Sequence, residues 1–314
     1  MAKNKNLTQA KKAKNDEFYT LISDVEKELK YYKKYFEGKV VYCNCDDPEE
    51  SNFWKFFELN FEEYKLKKLI STHYDAEKPT YKLELSADID GDGKITKGDI
   101  VKTPLKQNGD FRSEESINLL KESDIVVTNP PFSLEGPEYI PQLMKYKKKF
   151  LIIGNENLIS NIGPFNYLRS NEMWLGYNHI QNFKQPDGSI KKFGNIVWYT
   201  NLPVKNRNED LILTQKYDPS KYPKYENYNA IHIDKVANIP KDYNGVMGVP
   251  ITFMNKHNPK QFKILGLMHT GEKNVDYLRT DFSKRHRGVL NGKEKYARIL
   301  IQKINENNTN ENIS

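Results

Sequence analysis

The tetrapeptide Asn129-Pro130-Pro131-Phe132 contains the residue types best suited to a chemical step. It follows the β-branched run 124–128, a predicted buried strand, and two consecutive prolines stop the chain from continuing as helix or paired strand. The Asn129 amide oxygen and the Pro130 carbonyl could accept hydrogen bonds from an exocyclic aromatic amine and favour its pyramidal, nucleophilic form. Phe132 adds a ring on which an unstacked base could lie. A proline turn without a chemical role is the alternative for the tetrapeptide alone.

A second candidate site is an acidic segment with carboxylates at Asp88, Asp90, Asp92 and Asp99. These residues occupy positions 1, 3, 5 and 12 of an EF-hand-type loop with Gly93 at position 6, so the spacing predicts a structural calcium site. Asp in place of Glu at position 12 shortens the reach of the last ligand, which argues against high affinity for calcium. A solvated surface turn explains the same residues.

Strand and helix patterns alternate around these segments. Apolar residues recur at three- and four-residue steps over residues 21–36, which predicts one amphipathic helix. Further helices are predicted at 53–61 and 114–121, and buried strands at 39–44, 68–72, 124–128, 149–153 and 196–200. The alternation predicts an α/β fold with a doubly wound parallel sheet, which binds ligands at the carboxyl ends of its strands.

The pattern changes after about residue 202, where Tyr, Asn, Lys and Pro dominate. We therefore expect a first domain over residues 1–204 and a smaller module over residues 205–314. In the second module, strands are predicted at 249–254 and 262–267, a helix at 293–304 and a disordered tail after it.

The net charge of +7 and the pI near 8.9 favour a polyanionic partner such as nucleic acid. The candidate phosphate contacts lie in the second module, although a solvated basic loop has the same composition; they are Arg279, Lys284, Arg285 and Arg287.

The chain has two cysteines, Cys43 and Cys45, which alternate along a predicted strand and cannot bridge easily. No disulfide framework is therefore expected. The first residues contain no apolar signal region, and no stretch reaches membrane-spanning length. These features predict a cytoplasmic protein that does not bind a membrane.

The tetrapeptide at 129–132 resembles the Asn-Pro-Pro-aromatic motif of methyltransferases that act on the exocyclic amine of adenine. Further segments are similar, in the same order, to the EcoRI-type adenine-specific DNA methyltransferases. They are Lys14-Asn15-Asp16-Glu17-Phe18-Tyr19-Thr20, Cys45-Asp46-Asp47-Pro48, Thr72-His73-Tyr74, Asn108-Gly109-Asp110-Phe111-Arg112-Ser113 and, more diffusely, Met247-Gly248-Val249-Pro250-Ile251-Thr252-Phe253. The resemblance implies a Rossmann-like domain that binds S-adenosylmethionine, followed by a smaller target-recognition region and acting on double-stranded DNA.

The resemblance also implies a cofactor site. The first segment would cover the methionine end of the cofactor, Asp110 would accept from its adenine amine, and Phe111 would pack near its ring. The implied set is Asn15, Glu17, Phe18, Tyr19, Thr20, Cys45, Asp46, Asp47, Thr72, His73, Asp110 and Phe111. The chain departs from the family at Leu21, where Pro is frequent. The loop before Ser51 also lacks glycine and, without the resemblance, is a turn that Ser51 caps.

The resulting hypothesis is base flipping followed by direct in-line methyl transfer to adenine N6, with Asn129, Pro130, Pro131 and Phe132 as the catalytic residues. Similar motifs occur in enzymes that methylate RNA adenine or a protein glutamine amide, so these acceptors are alternatives. A non-catalytic, calcium-stabilised DNA-binding module is a third interpretation. A restriction-modification context would imply a prokaryotic or phage-encoded protein with a cognate restriction endonuclease as partner.

Overall fold

The computed structural model describes residues 19–45, 47–184, 188–284 and 286–304. The chain divides into two compact units, Met1–Glu156 with Gly176–Pro203 and Asn157–Leu175 with Val204–Ser314. Residues 157–175, which precede the expected boundary at 204, therefore pack with the second unit. No helix among the described residues combines the length and apolar character that crossing a bilayer requires.

The first unit is built on nine strands: β1 Tyr19–Thr20, β2 Val40–Cys43, β3 Lys68–Thr72, β4 Tyr81–Leu85, β5 Val101–Pro104, β6 Ile125–Thr128, β7 Lys149–Asn155, β8 Trp174–Lys184 and β9 Ile190–Thr200. They form one sheet in the order β1-β8-β9-β7-β6-β2-β3-β4-β5. Its α-helices are α1 Ile22–Leu29, α2 Lys33–Phe36, α3 Asn52–Leu59, α4 Glu114–Glu122, α5 Phe132–Leu134 and α6 Ile140–Lys145. A π-helical turn, Glu135–Tyr139, joins α5 to α6, and Lys97–Asp99 forms a 3-10 turn.

The centre of this sheet is parallel, as the alternation of strands and helices predicts. Strands β7, β6, β2 and β3 pair in parallel, and all four residues of β2 and of β6 are buried. The flanking pairs β7–β9, β3–β4, β4–β5 and β1–β8 are antiparallel. The predicted Rossmann-like α/β fold is confirmed, with antiparallel strands added at both edges of its parallel core.

The single helix predicted over residues 21–36 is wrong in one respect, because the chain forms two short helices there. Between them, the N–H groups of Tyr31 and Tyr32 donate to carbonyls three residues back, on Glu28 and Leu29, which tightens the backbone. The buried Tyr32 hydroxyl donates to the buried Glu28 carboxyl group at 3.0 Å. The tighter hydrogen bonds of Tyr31 and Tyr32 thus separate α1 from α2.

The described residues of the second unit form one α-helix, α7 Ile162–Arg169, and six strands: β10 Ile231–His232, β11 Met247–Pro250, β12 Phe262–Leu267, β13 Val289–Leu290, β14 Lys293–Glu294 and β15 Arg298–Lys303. Four of them form a sheet in the order β10-β11-β15-β12, and β13 pairs with β14. Short 3-10 turns complete the described elements: Glu156–Ser160, Lys205–Asn208, Val236–Asn238, Ile251–Lys256 and Asp276–Leu278.

Two predictions for this unit were wrong. The segment 293–304 is not a helix, because β15 pairs with β11 on one side and β12 on the other. As an interior strand it buries three consecutive residues, Ile299, Leu300 and Ile301. The strand predicted over 249–254 ends at Pro250 and continues as a 3-10 turn.

The burial of β15 predicts how much stability the protein loses when one of its side chains is shortened. Leu300 is fully buried in the core of the second unit, so Leu300→Ala should lower the free energy of unfolding by about 2–5 kcal/mol. Ile212, which is 86% exposed, provides the control, since Ile212→Ala should change it by less than about 0.5 kcal/mol. Urea titration of both variants measures the difference. Equal values would contradict an interior position for β15.

Candidate active site

The carboxyl ends of β2 and β6 meet at the centre of the nine-stranded sheet. The strands pair in parallel, with Val41 opposite Ile125 and Tyr42 opposite Val126. Strand β3 continues the sheet beyond β2, and β7 continues it beyond β6, so the strand order reverses here. In doubly wound folds, this switch point opens a crevice for ligands outside the carboxyl ends. The loops after β2 and β6 are therefore placed for binding and chemistry.

The tetrapeptide 129–132 leaves the sheet at this edge. Strand β6 ends at Thr128, whose hydroxyl oxygen accepts a hydrogen bond from the Cys45 N–H at 3.2 Å. This bond joins the end of β6 to the loop after β2. Asn129 follows, partly buried, and the Phe132 ring lies edge-on to Phe183 with the centroids 6.4 Å apart. The amide and the ring of the tetrapeptide thus lie at the rim of the sheet.

The loop after β2 turns without glycine because Asp47 holds it. The Asp47 carbonyl accepts from the Ser51 N–H at 2.6 Å, and its carboxylate accepts from the Glu49 N–H at 2.9 Å. Ser51 then caps α3, since its hydroxyl oxygen accepts from the Phe53 N–H at 3.1 Å and the Trp54 N–H at 3.4 Å. The predicted cap at Ser51 is confirmed.

Strand β1 lies beside the start of this helix. The Asn52 side-chain amide, in the first residue of α3, donates to the Thr20 carbonyl at 2.7 Å. Tyr19 and Thr20 pair with Lys184 and Phe183 of β8. These contacts bring the end of the predicted methionine-covering segment to the loop after β2. Four predicted cofactor residues lie outside the described residues: Asn15, Glu17, Phe18 and Asp46.

The loop after β3 contributes His73 to the same edge. Its Nδ1 lies 3.2 Å from a carboxylate oxygen of Asp47, and its ring stacks on Tyr81 at 5.1 Å between centroids. The loops after β2 and β3 are thereby linked. Thr72 is different, because its side chain is buried and its hydroxyl shares a hydrogen bond of 3.1 Å with the Tyr42 hydroxyl. Of this predicted pair, only the His73 side chain lies at the surface.

The segment before α4 approaches the end of β3 very closely. Gly109 has a φ of +74°, and a Cβ at this residue would lie 2.0 Å from the His73 carbonyl oxygen. The next residue, Asp110, accepts from Arg112 Nε at 2.9 Å and Nη2 at 2.7 Å. Burial raises the pKa of Asp110, but the hydrogen bonds and positive charge of Arg112 outweigh it and lower this pKa overall. Asp110 is therefore an ionised hydrogen-bond acceptor.

Phe111 connects this segment to the end of β2 through two residues that the sequence did not single out. Its buried ring lies edge-on to Tyr139 at 5.1 Å between centroids. The Tyr139 hydroxyl donates to the side-chain oxygen of Asn44, which directly follows β2. The strand predicted over residues 39–44 included Asn44, whereas the strand ends at Cys43. Tyr139 lies in a π-helical turn whose period no helix pattern anticipates.

The acidic segment forms a surface turn between β4 and β5. Carboxylate oxygens of Asp88, Asp90 and Asp99 lie within 4.8 Å of one another, and among the described residues Asp92 does not join this group. Asp99 is buried and accepts from the Ile89 N–H at 2.6 Å. The turn lies at the β5 edge of the sheet, two strands beyond β3, so it takes no part in the candidate active site.

The four predicted phosphate contacts differ in exposure. The Arg279 side chain is 4% exposed, donates to the Lys284 carbonyl at 3.1 Å and lies over the Phe282 ring at 4.4 Å. It holds its loop from inside and is not presented to a phosphate. Arg287 is exposed, whereas Lys284 is partly exposed and forms an ion pair with Glu226. Arg285 lies outside the described residues.

Comparison with known sequences identifies the family of this chain. Residues 6–304 match the family described as "Adenine-specific methyltransferase EcoRI". The chain belongs to this family. The methyltransferase is 46% identical to Type II methyltransferase M.EcoRI of Escherichia coli, over 96% of this chain and 97% of the relative. It is 39% identical to Type II methyltransferase M.MgeORF184P of Mycoplasma genitalium, over 94% of this chain and 98% of the relative.

A third relative, Type II methyltransferase M.MpnI of Mycoplasma pneumoniae, is 37% identical over 94% of this chain and 97% of its own length. No solved structure matches the chain significantly. The protein is a site-specific DNA adenine methyltransferase that uses S-adenosylmethionine and binds DNA as its substrate. The alternative acceptors and the non-catalytic interpretation receive no support.

The close approach at Gly109 predicts the effect of a single methyl group. Gly109→Ala should weaken S-adenosylmethionine binding at least about tenfold, or about 1.4 kcal/mol, because the new Cβ displaces the His73 backbone. Gly38 is the matched control, since it also has a positive φ, of +70°, but has no atom within 4 Å of the added Cβ. Calorimetric titration with the cofactor measures both variants. Equal affinities would contradict a cofactor site at this edge.

Proposed function

We propose that the switch point between β2 and β6 is the methyl-transfer site and that Asn129 and Pro130 act directly on the target adenine. The observation that carries this proposal is the hydrogen bond from Cys45 N–H to Thr128 Oγ1, which brings the end of β6 to the loop after β2. In this arrangement, the two acceptors at 129 and 130 bind the N6 amine of a flipped adenine, and Phe132 stacks on its ring.

The residues around the crevice fit S-adenosylmethionine. Asp110 offers an ionised acceptor for an adenine amine, Phe111 offers an apolar ring nearby, and Gly109 removes the side chain that would block close approach. Ser51 caps the start of α3 directly after this loop and so fixes the end of the loop beside the crevice. The cofactor, when bound, supplies a methyl group on a positively charged sulfur.

The chemical step requires no covalent bond to the protein. The Asn129 and Pro130 oxygens hold the two amine hydrogens, which localises the nitrogen lone pair on the side facing the methyl group. The nitrogen–carbon bond forms while the carbon–sulfur bond breaks, and the amine then loses one proton to water. Asn129 and Pro130 thus orient the nucleophile, and Pro131 fixes the turn.

The second unit supplies the proposed target-recognition surface. It carries the exposed Arg287 and the partly exposed Lys284, which pairs with Glu226, on the loop that Arg279 organises from inside. Phosphate contacts from such residues give salt-dependent affinity but no sequence information. We expect base-specific contacts elsewhere in this unit.

A cognate restriction endonuclease and a bacterial cytoplasmic location are part of the proposal. Its support is the naming of three bacterial relatives as Type II methyltransferases. Calcium binding at Asp88, Asp90, Asp92 and Asp99 also stays a prediction, which calcium titration of the full chain tests; carboxylate oxygens of three of the four, Asp88, Asp90 and Asp99, lie together. Methyl transfer itself should be insensitive to a chelator.

Replacing the catalytic amide tests the proposed role. Asn129→Ala should lower the methyl-transfer rate by at least about a hundredfold, because one of two acceptors for the amine is lost. The cofactor dissociation constant should change by less than about threefold. The measurement is tritium transfer from labelled S-adenosylmethionine to unmethylated bacterial genomic DNA.

Ser133 gives the matched control, since it is exposed one residue beyond the tetrapeptide and Ser133→Ala should keep the wild-type rate. Full activity of Asn129→Ala would overturn the mechanism. Loss of cofactor binding in that variant would show that Asn129 acts on the cofactor and not on the adenine.

A further inference from the structure

Directly after the tetrapeptide, the chain buries a carboxyl group. The Pro131 carbonyl accepts from the Leu134 N–H at 2.9 Å and the Glu135 N–H at 3.1 Å, which places Glu135 at the start of the π-helical turn. The Glu135 side chain is 0% exposed. Burying an ionisable group is costly, and π-helical turns occur frequently at functional sites. Hydrophobic packing does not explain an acid here.

The carboxyl group lies on the end of β7. The Asn155 N–H donates to Glu135 Oε2 at 3.4 Å, and Oε1 lies over Gly154, where a Cβ would be only 1.5 Å from it. Strand β7 is the neighbour of β6, with Thr128 opposite Ile152. The side chain therefore links the segment after the tetrapeptide to the strand beside the one that carries it.

Among the residues that the structure describes, no positive charge faces this group. Within the described part of the chain, Glu135 forms no ion pair, and its Oε1 has no hydrogen-bond partner. The titratable groups packed near it are Tyr199 of β9, whose hydroxyl donates to the Asn155 carbonyl at 3.0 Å, and Glu156 after β7. Neither can balance a carboxylate. Burial accordingly raises the pKa of Glu135 well above its ordinary value.

The same π-helical turn is held at its other end by Tyr139, whose hydroxyl donates to Asn44 after β2. Residues 135–139 therefore connect the end of β7 with the end of β2. The first of them, Glu135, also donates its N–H to the Pro131 carbonyl. Movement of Glu135 out of its position would pull on Pro131.

We propose that Glu135 is a positioning residue, which as a neutral carboxylic acid holds the turn 129–132 against the end of β7 for methyl transfer. The proposal rests on the proposed catalytic role of that turn. Ionisation would place an unpaired negative charge in the interior, and the side chain would then move toward water and carry Pro131 with it. Methyl transfer by the wild-type protein should therefore decline at alkaline pH.

Glu135→Gln separates the neutral acid from the carboxylate, because Gln has the same shape and cannot ionise. Its single-turnover rate of methyl transfer to unmethylated bacterial genomic DNA should match the wild type near pH 7 and lack the alkaline decline. Glu135→Ala should lower the rate about tenfold to a hundredfold with unchanged cofactor affinity, since the turn loses its support. Glu122→Gln, on the exposed end of α4, is the matched control and should follow the wild-type pH profile.

Stability gives a second measurement if Glu135→Ala fails to fold. A carboxyl group whose pKa is raised on folding contributes stability below its unfolded pKa and loses it as pH rises toward the folded pKa. The thermal midpoint of Glu135→Gln should therefore exceed that of the wild type more at pH 8 than at pH 5. Identical pH profiles for wild type and Glu135→Gln, or loss of the rate in Glu135→Gln near pH 7, would overturn the proposal.

Asn129→Ala, measured in the same series, distinguishes two failures. If Asn129→Ala is inactive while the Glu135 variants behave as wild type at every pH, the inference about Glu135 fails alone. If Asn129→Ala keeps the wild-type rate, the proposed catalytic site fails, and the positioning role fails with it.

Discussion

The site depends on the parallel pairing of β2 with β6 at the point where the strand order reverses. Both strands are buried along their whole length, so their register is fixed from both faces of the sheet. Shifting either strand by one residue would turn its buried side chains to the opposite faces. The bond from Cys45 N–H to Thr128 Oγ1 forms only in the observed register. The loops that provide the acceptors and the cofactor contacts therefore reach one edge together.

Much of this core could be predicted from the sequence because interior strands are short β-branched runs. The run 124–128 followed by two prolines predicts both a strand and its end. The helix predicted over residues 293–304 was wrong because Ile299-Leu300-Ile301 follows residues that are compatible with a helix. A short apolar run does not by itself distinguish a buried strand from a buried helix. Long-range pairing with β11 and β12 decides between them.

The side-chain chemistry was less predictable. Residue type suggested Arg279 as a phosphate contact, but its burial and its bond to the Lys284 carbonyl depend on how the loop closes on itself. Glu135 and Tyr139 gave no signal, because a π-helical turn displaces them from the faces that a regular helix would present. The family resemblance predicted a cofactor role for Asp110 and Phe111. The structure adds a reason for the glycine before them, because a Cβ there would collide with the His73 carbonyl oxygen.

Methylation of adenine at a fixed sequence is the central claim, and single-molecule sequencing of DNA from cells tests it most directly. The chain should be expressed in a bacterial host that lacks its own adenine methyltransferases, beside a host with the empty vector. The account predicts N6-methyladenine at one recurring sequence context in the first host only. Absence of modified adenine, or modification of another base, would contradict it.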